Sequence, residues 1–291
     1  MLYELFSILA PVVAVAAVGF GWSKLGKPFD TEFVSALNFN IATPFLVFST
    51  LTKLKIDPAA VGEVALAALV ATIAVGIVGA ALLAVFRIPL RPYLTPVISP
   101  NTGNTGLPVC YLAFGEAGLA LAIAVHVVTA LTQFTVGVAI TAGRFSVRDV
   151  AQLPLLYAVI AAAAVIWLGI DLPPWIANTV ALIGQLAIPL MLIALGASLT
   201  RLRLGQVRRS STVAALRLGL GLAIAIAVAS AFGLDHAQSG VMVLQLSMPA
   251  AVFSYLLAAR YRADPEGVAG VVFVSTLAGF AVLPLILLYV L

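Results

Sequence analysis

Apolar residues fill this chain in blocks of about twenty, parted by short polar turns, without the strict alternation that marks barrel strands. Windows of that length predict ten helical spans, at about 3–22, 32–52, 60–85, 93–114, 117–141, 150–169, 175–199, 211–232, 237–259 and 266–290. One block differs from the rest. From Pro92 to Gly115 it reads PYLTPVISPNTGNTGLPVCYLAFG, with Pro96, Pro100, Gly103, Gly106 and Pro108 in close succession. A regular helix does not survive that density of breakers. Irregular backbone at membrane depth is tolerated only where it is buried in protein or lines a cavity. The pattern predicts a span broken between Ser99 and Pro108, the kind of element at which transporters hold their substrates. A kinked or re-entrant helix with no ligand is the alternative.

The prolines also repeat. Pro44 in span 2 and Pro189 in span 7 are 145 residues apart, and Pro108 in span 4 and Pro249 in span 9 are 141 apart, each close to half of the 291 residues. This spacing predicts two five-span halves, residues 1–145 and 146–291. An odd number of spans per half makes their topologies inverted, with the broken spans 4 and 9 crossing at the interface. The expected fold class is thus an all-α integral membrane protein of ten transmembrane helices in two inverted five-helix repeats.

Each of these four prolines leaves the carbonyl four residues earlier without its amide donor. The residues at that offset are Asn40, Asn104, Gln185 and Gln245, a side-chain amide every time. An unpaired amide in an apolar medium costs on the order of 2–7 kcal/mol, so four at one offset call for a reason. Two readings stand: the amides patch their own kinks and glue helices together, or they contact a ligand. For Asn104 and Gln245, on the broken spans, ligand contact is the expectation.

Composition excludes a soluble domain. The chain is 63% apolar and only 9% charged, with a mean hydropathy of +1.17, where soluble domains carry about 25% charged residues. The net charge of +4 is spread over short loops and makes no block for nucleic acid. Its use is orientation. Lys24, Lys27, Arg87, Arg91, Arg144, Arg148, Arg201, Arg203, Arg208, Arg209, Arg260 and Arg262 follow odd spans, against Lys53 and Lys55 after even ones, which is twelve to two. The positive-inside rule therefore places the odd loops in the cytoplasm and both termini outside the inner or plasma membrane. The first apolar run has no basic n-region and reads as a span, not a signal peptide. A single cysteine, Cys110, excludes an intrachain disulfide and a cysteine metal cluster.

The chemistry expected at the breaks is anion binding. A half-helix starting near the span-4 break directs unpaired N–H groups and a positive dipole end at the site, which suits a carboxylate. Asn101, Thr102, Asn104 and Thr105 add neutral donors, and Gln245, Ser247, Met248 and Pro249 form a leaner counterpart in span 9. All 11 acidic residues lie at or near span ends. His126, with Thr129 and Gln133 at i+3 and i+7, makes one polar stripe in span 5. It is the candidate for proton coupling; a neutral histidine bonded to a neighbouring helix is the other reading. Arg217 is expected to snorkel to the cytoplasmic face. Gly76, Gly79, Gly219 and Gly221 are expected to permit close helix packing. No nucleotide loop, zinc motif or catalytic triad is present, so neither an enzyme nor a cofactor or metal is expected. A passive anion channel or a membrane sensor is the alternative, although a continuous polar stripe through several spans and an output domain are both missing.

The run PNTGNTGLP from Pro100 to Pro108, AFGE from Ala113 to Glu116, MPAAVFSYLLAARYRADPE from Met248 to Glu266, VVFVST from Val271 to Thr276 and the later Leu283–Pro284 pair together resemble the auxin efflux carrier family. The resemblance spans essentially the whole chain. It implies the inverted-repeat fold shared with sodium/bile-acid symporters, with a panel of spans 3, 4, 5, 8, 9 and 10 moving against a scaffold of 1, 2, 6 and 7. It also implies a carrier of small organic anions such as malate, malonate or auxin-like acids, dimeric through the scaffold. On this resemblance Asn101, Pro108 and Pro249 are crossover positions, and polar contacts of span 5 fall by register near Thr129 and Phe134. Asn40 with Pro44 and Gln185 with Pro189 remain substrate-binding candidates from the proline spacing alone, with kink patching the equal reading. The large loop of plant members between spans 5 and 6 is missing, which fits a bacterial-type carrier. No acid stands in span 9 to hold sodium.

Overall fold

The computed structural model describes residues 2–53, 58–143, 151–200 and 207–291. Lys55, Arg144, Arg148, Arg201 and Arg203, on which part of the orientation count rests, lie outside the described residues, as do Asp57, Asp149 and the division at 145/146.

The described chain is helical throughout. Its helices are α1 (Leu2–Lys24), α2 (Thr31–Leu37), α3 (Thr43–Lys53), α4 (Pro58–Val85), α5 (Leu90–Ile98), α6 (Leu107–Thr132), α7 (Val138–Ala142), α8 (Pro154–Trp167), α9 (Pro174–Gln185), α10 (Ala187–Leu199), α11 (Val207–Phe232), α12 (His236–Leu246), α13 (Val252–Arg260) and α14 (Pro265–Val290). Wider π-type turns at Asn38–Ala42, Thr102–Gly106 and Gln133–Gly137 join α2 to α3, lead into α6 and join α6 to α7.

Seven helical stretches among the described residues are long and apolar enough to cross a membrane. The ten expected spans thus do not appear as ten long helices, and the breakers explain why. The stretch expected at 93–114 is divided into α5 and the first part of α6. The stretch expected at 237–259 is divided into α12 and α13. Gly115 separates residues 107–114 from 116–132 with φ 65° and ψ −156°, a conformation that side-chain-bearing residues rarely adopt. The sixth expected span holds only the 14-residue α8.

Packing sorts the helices into two groups. In one, α1 lies along α10, and α3 lies between α8 and α9. The α1–α10 approach is so close that a Cβ on Gly196 would stand 1.8 Å from the Ala16 carbonyl oxygen. In the other, α4 packs on α5, α6 and α11, while α11 also packs on α12 and α14. Contacts between the groups are sparser; the richest joins the Thr102–Gly106 turn to α10.

Polar caps set the ends of the second group's helices. Asp235 and Gln238 form a reciprocal capping box that starts α12. Asp264 caps α14 through the Gly267 amide, accepts the hydroxyl proton of Tyr93 in α5, and pairs at 3.9 Å with Arg209 of α11. One acidic side chain thereby ties three helices at one end of the group. The glycines divide. Gly79 receives the Val97 side chain and Gly221 the Leu246 carbonyl of α12 at close range, as packing requires, whereas Gly219 has nothing near it; Gly221 also makes room for a side chain of its own helix.

Candidate functional site at the paired helix breaks

The two interrupted stretches meet at their interruptions. Asn101 N–H donates to the Pro249 carbonyl at 2.7 Å, and Ala251 N–H donates to the Ser99 carbonyl at 2.9 Å, so Pro100 and Ala250 form a short antiparallel bridge. Backbone groups that each proline-rich segment cannot satisfy internally are satisfied by the other. Ser275 of α14 braces the second segment by accepting from Ala250 N–H at 3.1 Å. Nothing in the sequence marked that serine beyond its place in the VVFVST run.

Side chains then interlock across the junction. Gln245 is fully buried at the end of α12; its Nε2 donates to the Ala122 carbonyl at 3.3 Å, while its Oε1 lies against Gly106. A Cβ on Gly106 would stand 2.2 Å from that oxygen, so any larger residue there would displace the end of the Gln245 side chain. Thr102 joins the first break to α6, with its hydroxyl 2.9 Å from both His126 Nδ1 and the Thr129 hydroxyl. The His126 ring also packs against Gly103. Two members of the stripe, His126 and Thr129, thus face the break.

Several buried polar atoms without a partner lie at or near the junction, while two others, Thr31 Oγ1 and Asn38 Oδ1, lie at the two ends of α2. Ser99 Oγ, Asn101 Nδ2, Thr105 Oγ1, Gln133 Nε2, Gln245 Oε1, Ser247 Oγ and Ser254 Oγ are unpartnered among the described residues. Each such group costs about 1–3 kcal/mol when buried, and groups of this kind concentrate where a ligand supplies the missing bonds. Asn104 is half-buried on the same turn and makes no side-chain bond within the described protein. Between Thr105, Ser247, Met248, Pro249 and the α14 residues Gly279 and Phe280 lies a hollow of about 10 Å³, room for one water.

The dipoles at the junction are unequal in their compensation. The carbonyl ends of α5 and α12 are both capped by Arg217 of α11, whose guanidinium donates to Val97 O and to Leu246 O. At the amide end leading into α6, Thr102 N–H donates to Pro100 O and Thr105 and Gly106 N–H to Asn101 O, so the Gly103 and Asn104 N–H groups are the ones left open. A junction whose negative ends are neutralised and whose positive ends are open attracts anions.

Arg217 corrects the sequence expectation. It does not snorkel: only 1% of it is exposed. Its guanidinium is turned inward onto Val97 O and Leu246 O, backbone groups of two other helices that no sequence window brings beside it.

The structure gathers Asn101, Thr102, Asn104, Thr105, Pro108, Gln245, Ser247, Met248, Pro249, Thr129 and His126 at or beside the junction. Asn40, Gln185 and Pro189 are exposed and do not join them. Asn40 Nδ2 donates at 2.8 Å to Ala36 O of its own helix, the kink-patching reading. Pro44 is buried in α3. Phe134 makes no polar contact; its ring stacks between Phe39 and Phe253, at 4.7 and 4.5 Å between centroids. These three rings join the α2–α3 bend to α13, one helix group to the other.

The family comparison agrees with this geometry. Residues 5–152 and 142–289 match the family described as membrane transport protein. The chain belongs to that family, which is auxin efflux carrier-like. A protein described as an uncharacterized transporter from Methanocaldococcus jannaschii is 26% identical over 196 residues, covering 64% of this chain and 63% of that protein. Another uncharacterized transporter, from Methanothermobacter thermautotrophicus, is 29% identical over 195 residues with the same coverage. The alignments thus span 63% of the length of each of these curated relatives. A multi-pass membrane transport protein is the class to which the chain belongs.

Proposed function

We propose that this protein is a secondary carrier of small organic anions, carboxylates such as malate, malonate or auxin-like acids, that works by alternating access. The carrying observation is the junction itself: two interrupted helices paired at their breaks, with open amide ends and a cluster of unpartnered buried donors. A carboxylate would accept from Asn101 Nδ2, the Thr105 hydroxyl and the Gly103 and Asn104 N–H groups, and from the Ser247 hydroxyl of the other half, with Gln245, anchored on Ala122 O, forming the wall beside it. Met248, Pro249 and Phe280 would take the hydrocarbon part.

On this reading the chain has ten spans in two inverted halves, both termini outside the cell membrane, and dimerises through the group containing α1, α3, α8, α9 and α10. The small hollow belongs to a closed conformer. The group built on α4, α5, α6 and α11 to α14 would shift against the other, parting at the Phe39, Phe134 and Phe253 stack and widening the junction. His126, bonded to Thr102 at the break, is the group through which protons would couple.

The test is uptake by proteoliposomes of labelled dicarboxylates, monocarboxylates and indole-acetate, with and without a pH gradient. Saturable accumulation of one class above protein-free liposomes is expected. Correctly inserted protein that moves none of them would overturn the reading.

A further inference from the structure

Arg217 stands where a carrier of this construction would offer a site to a cation. Unwound carbonyls and the C-terminal ends of half-helices are the groups that coordinate coupling ions in broken-helix transporters. Here two such ends, Val97 O closing α5 and Leu246 O closing α12, converge on one fully buried guanidinium. No carboxylate among the described residues pairs with it, so its charge is balanced by helix dipoles alone. Its Nε has no partner. Gly221, one turn further along α11, leaves the room: a Cβ there would stand 2.1 Å from both Arg217 Nη2 and Leu246 O. The flanking residues Ser99, Gln245 and Ser247 carry further side-chain oxygens without partners. Two helix-end carbonyls are thus held together by a single fixed cation.

We propose that Arg217 is a tethered cation, holding the place between the two helix ends that a monovalent metal ion would otherwise take, so that the protein needs no sodium and acquires a sodium site when the guanidinium is removed. The consequence for transport rests on the carrier reading; the ion site itself does not. A guanidinium is permanently charged and presents donors in a rigid fork, which lets one side chain hold two carbonyls from two broken helices. Unlike a bound ion it cannot leave during a transport cycle, so it stabilises the junction without coupling it to an ion gradient.

The test uses thermal unfolding of the purified full chain in sodium chloride against choline chloride at equal ionic strength, with no substrate present. Wild type is expected to unfold at the same temperature in both salts. Arg217→Ala is expected to unfold earlier in choline and to regain about 3 °C or more in saturating sodium. Arg217→Lys, which retains a charge, is expected to fold and to remain indifferent to sodium. A sodium-specific rise in wild type or in Arg217→Lys would overturn the proposal, as would its absence in folded Arg217→Ala. Should Arg217→Ala not fold, wild type and Arg217→Lys still decide. Failure of anion uptake, by contrast, would overturn the carrier reading and leave this result standing.

Discussion

Asn40 and Gln185 stand four residues before a proline, and so do Asn104 and Gln245, yet the two pairs do different work. Around Pro44 the chain absorbs its missing donor with one wide turn, Asn38–Ala42, and Thr43 N–H still finds Asn38 O within the same helix. Around Pro189 it stops α9 at Gln185 and restarts α10 at Ala187 with a single bent residue between. Both amides point to the outside. Around Pro249 the backbone leaves the helix altogether and pairs with a second loose segment, residues 99–101, which stands one wide turn, Thr102–Gly106, ahead of Pro108. The amides there are turned inward, Gln245 completely. One proline bends a helix; a proline among glycines, serines and a second proline opens it. What surrounds the proline, not the proline–amide offset, decides whether the amide is repair or recognition.

The sharpest way to break this contrast is to disturb the interlock. Gly106→Ala drives a methyl into Gln245 Oε1, and is expected to lower uptake about 100-fold or more while the protein remains extractable. Unchanged uptake would show that the two breaks do not depend on their close approach. Asn104→Ala follows, with a loss of about 10- to 100-fold in uptake from one missing ligand bond, read in the same liposomes. His126→Gln keeps a hydrogen-bonding group beside Thr102 but cannot take up a proton. Uptake is expected to fall less than tenfold and to lose its pH dependence over about pH 5 to 8; an unaltered pH profile would return His126 to packing. The smallest effect belongs to Asn40→Ala, expected to stay within about twofold of wild type and to cost about 1 kcal/mol or less of stability.

Much of this was written in the sequence, but unevenly. The density of Pro96, Pro100, Gly103, Gly106 and Pro108 could mean only broken backbone, and the spacing of His126, Thr129 and Gln133 put them on one face. Periodicity is local, however, and gave no sign that Thr102, 24 residues away, would receive that face. Arg217 was misjudged because its partners, Val97 O and Leu246 O, are backbone groups 120 and 29 residues away that only the tertiary fold brings to it. Gly221 does permit close helix packing, since a Cβ there would stand 2.1 Å from Leu246 O of α12, but the room it also leaves for Arg217 had no local sign. Phe134 was sought as a polar contact by register alone, and it is a stacked ring. Ser275, which holds Ala250, sits in an ordinary apolar run and carries no local signal.

The contrast between repair and recognition reduces to two glutamines that share a sequence context. Uptake of the anion that wild type transports best should be measured for Gln245→Ala and Gln185→Ala, matched for inserted protein and with folding checked by gel filtration. The account predicts that Gln245→Ala loses at least about nine-tenths of the initial rate and that Gln185→Ala keeps the wild-type rate. Equal rates for the two variants, whether both intact or both lost, would contradict it.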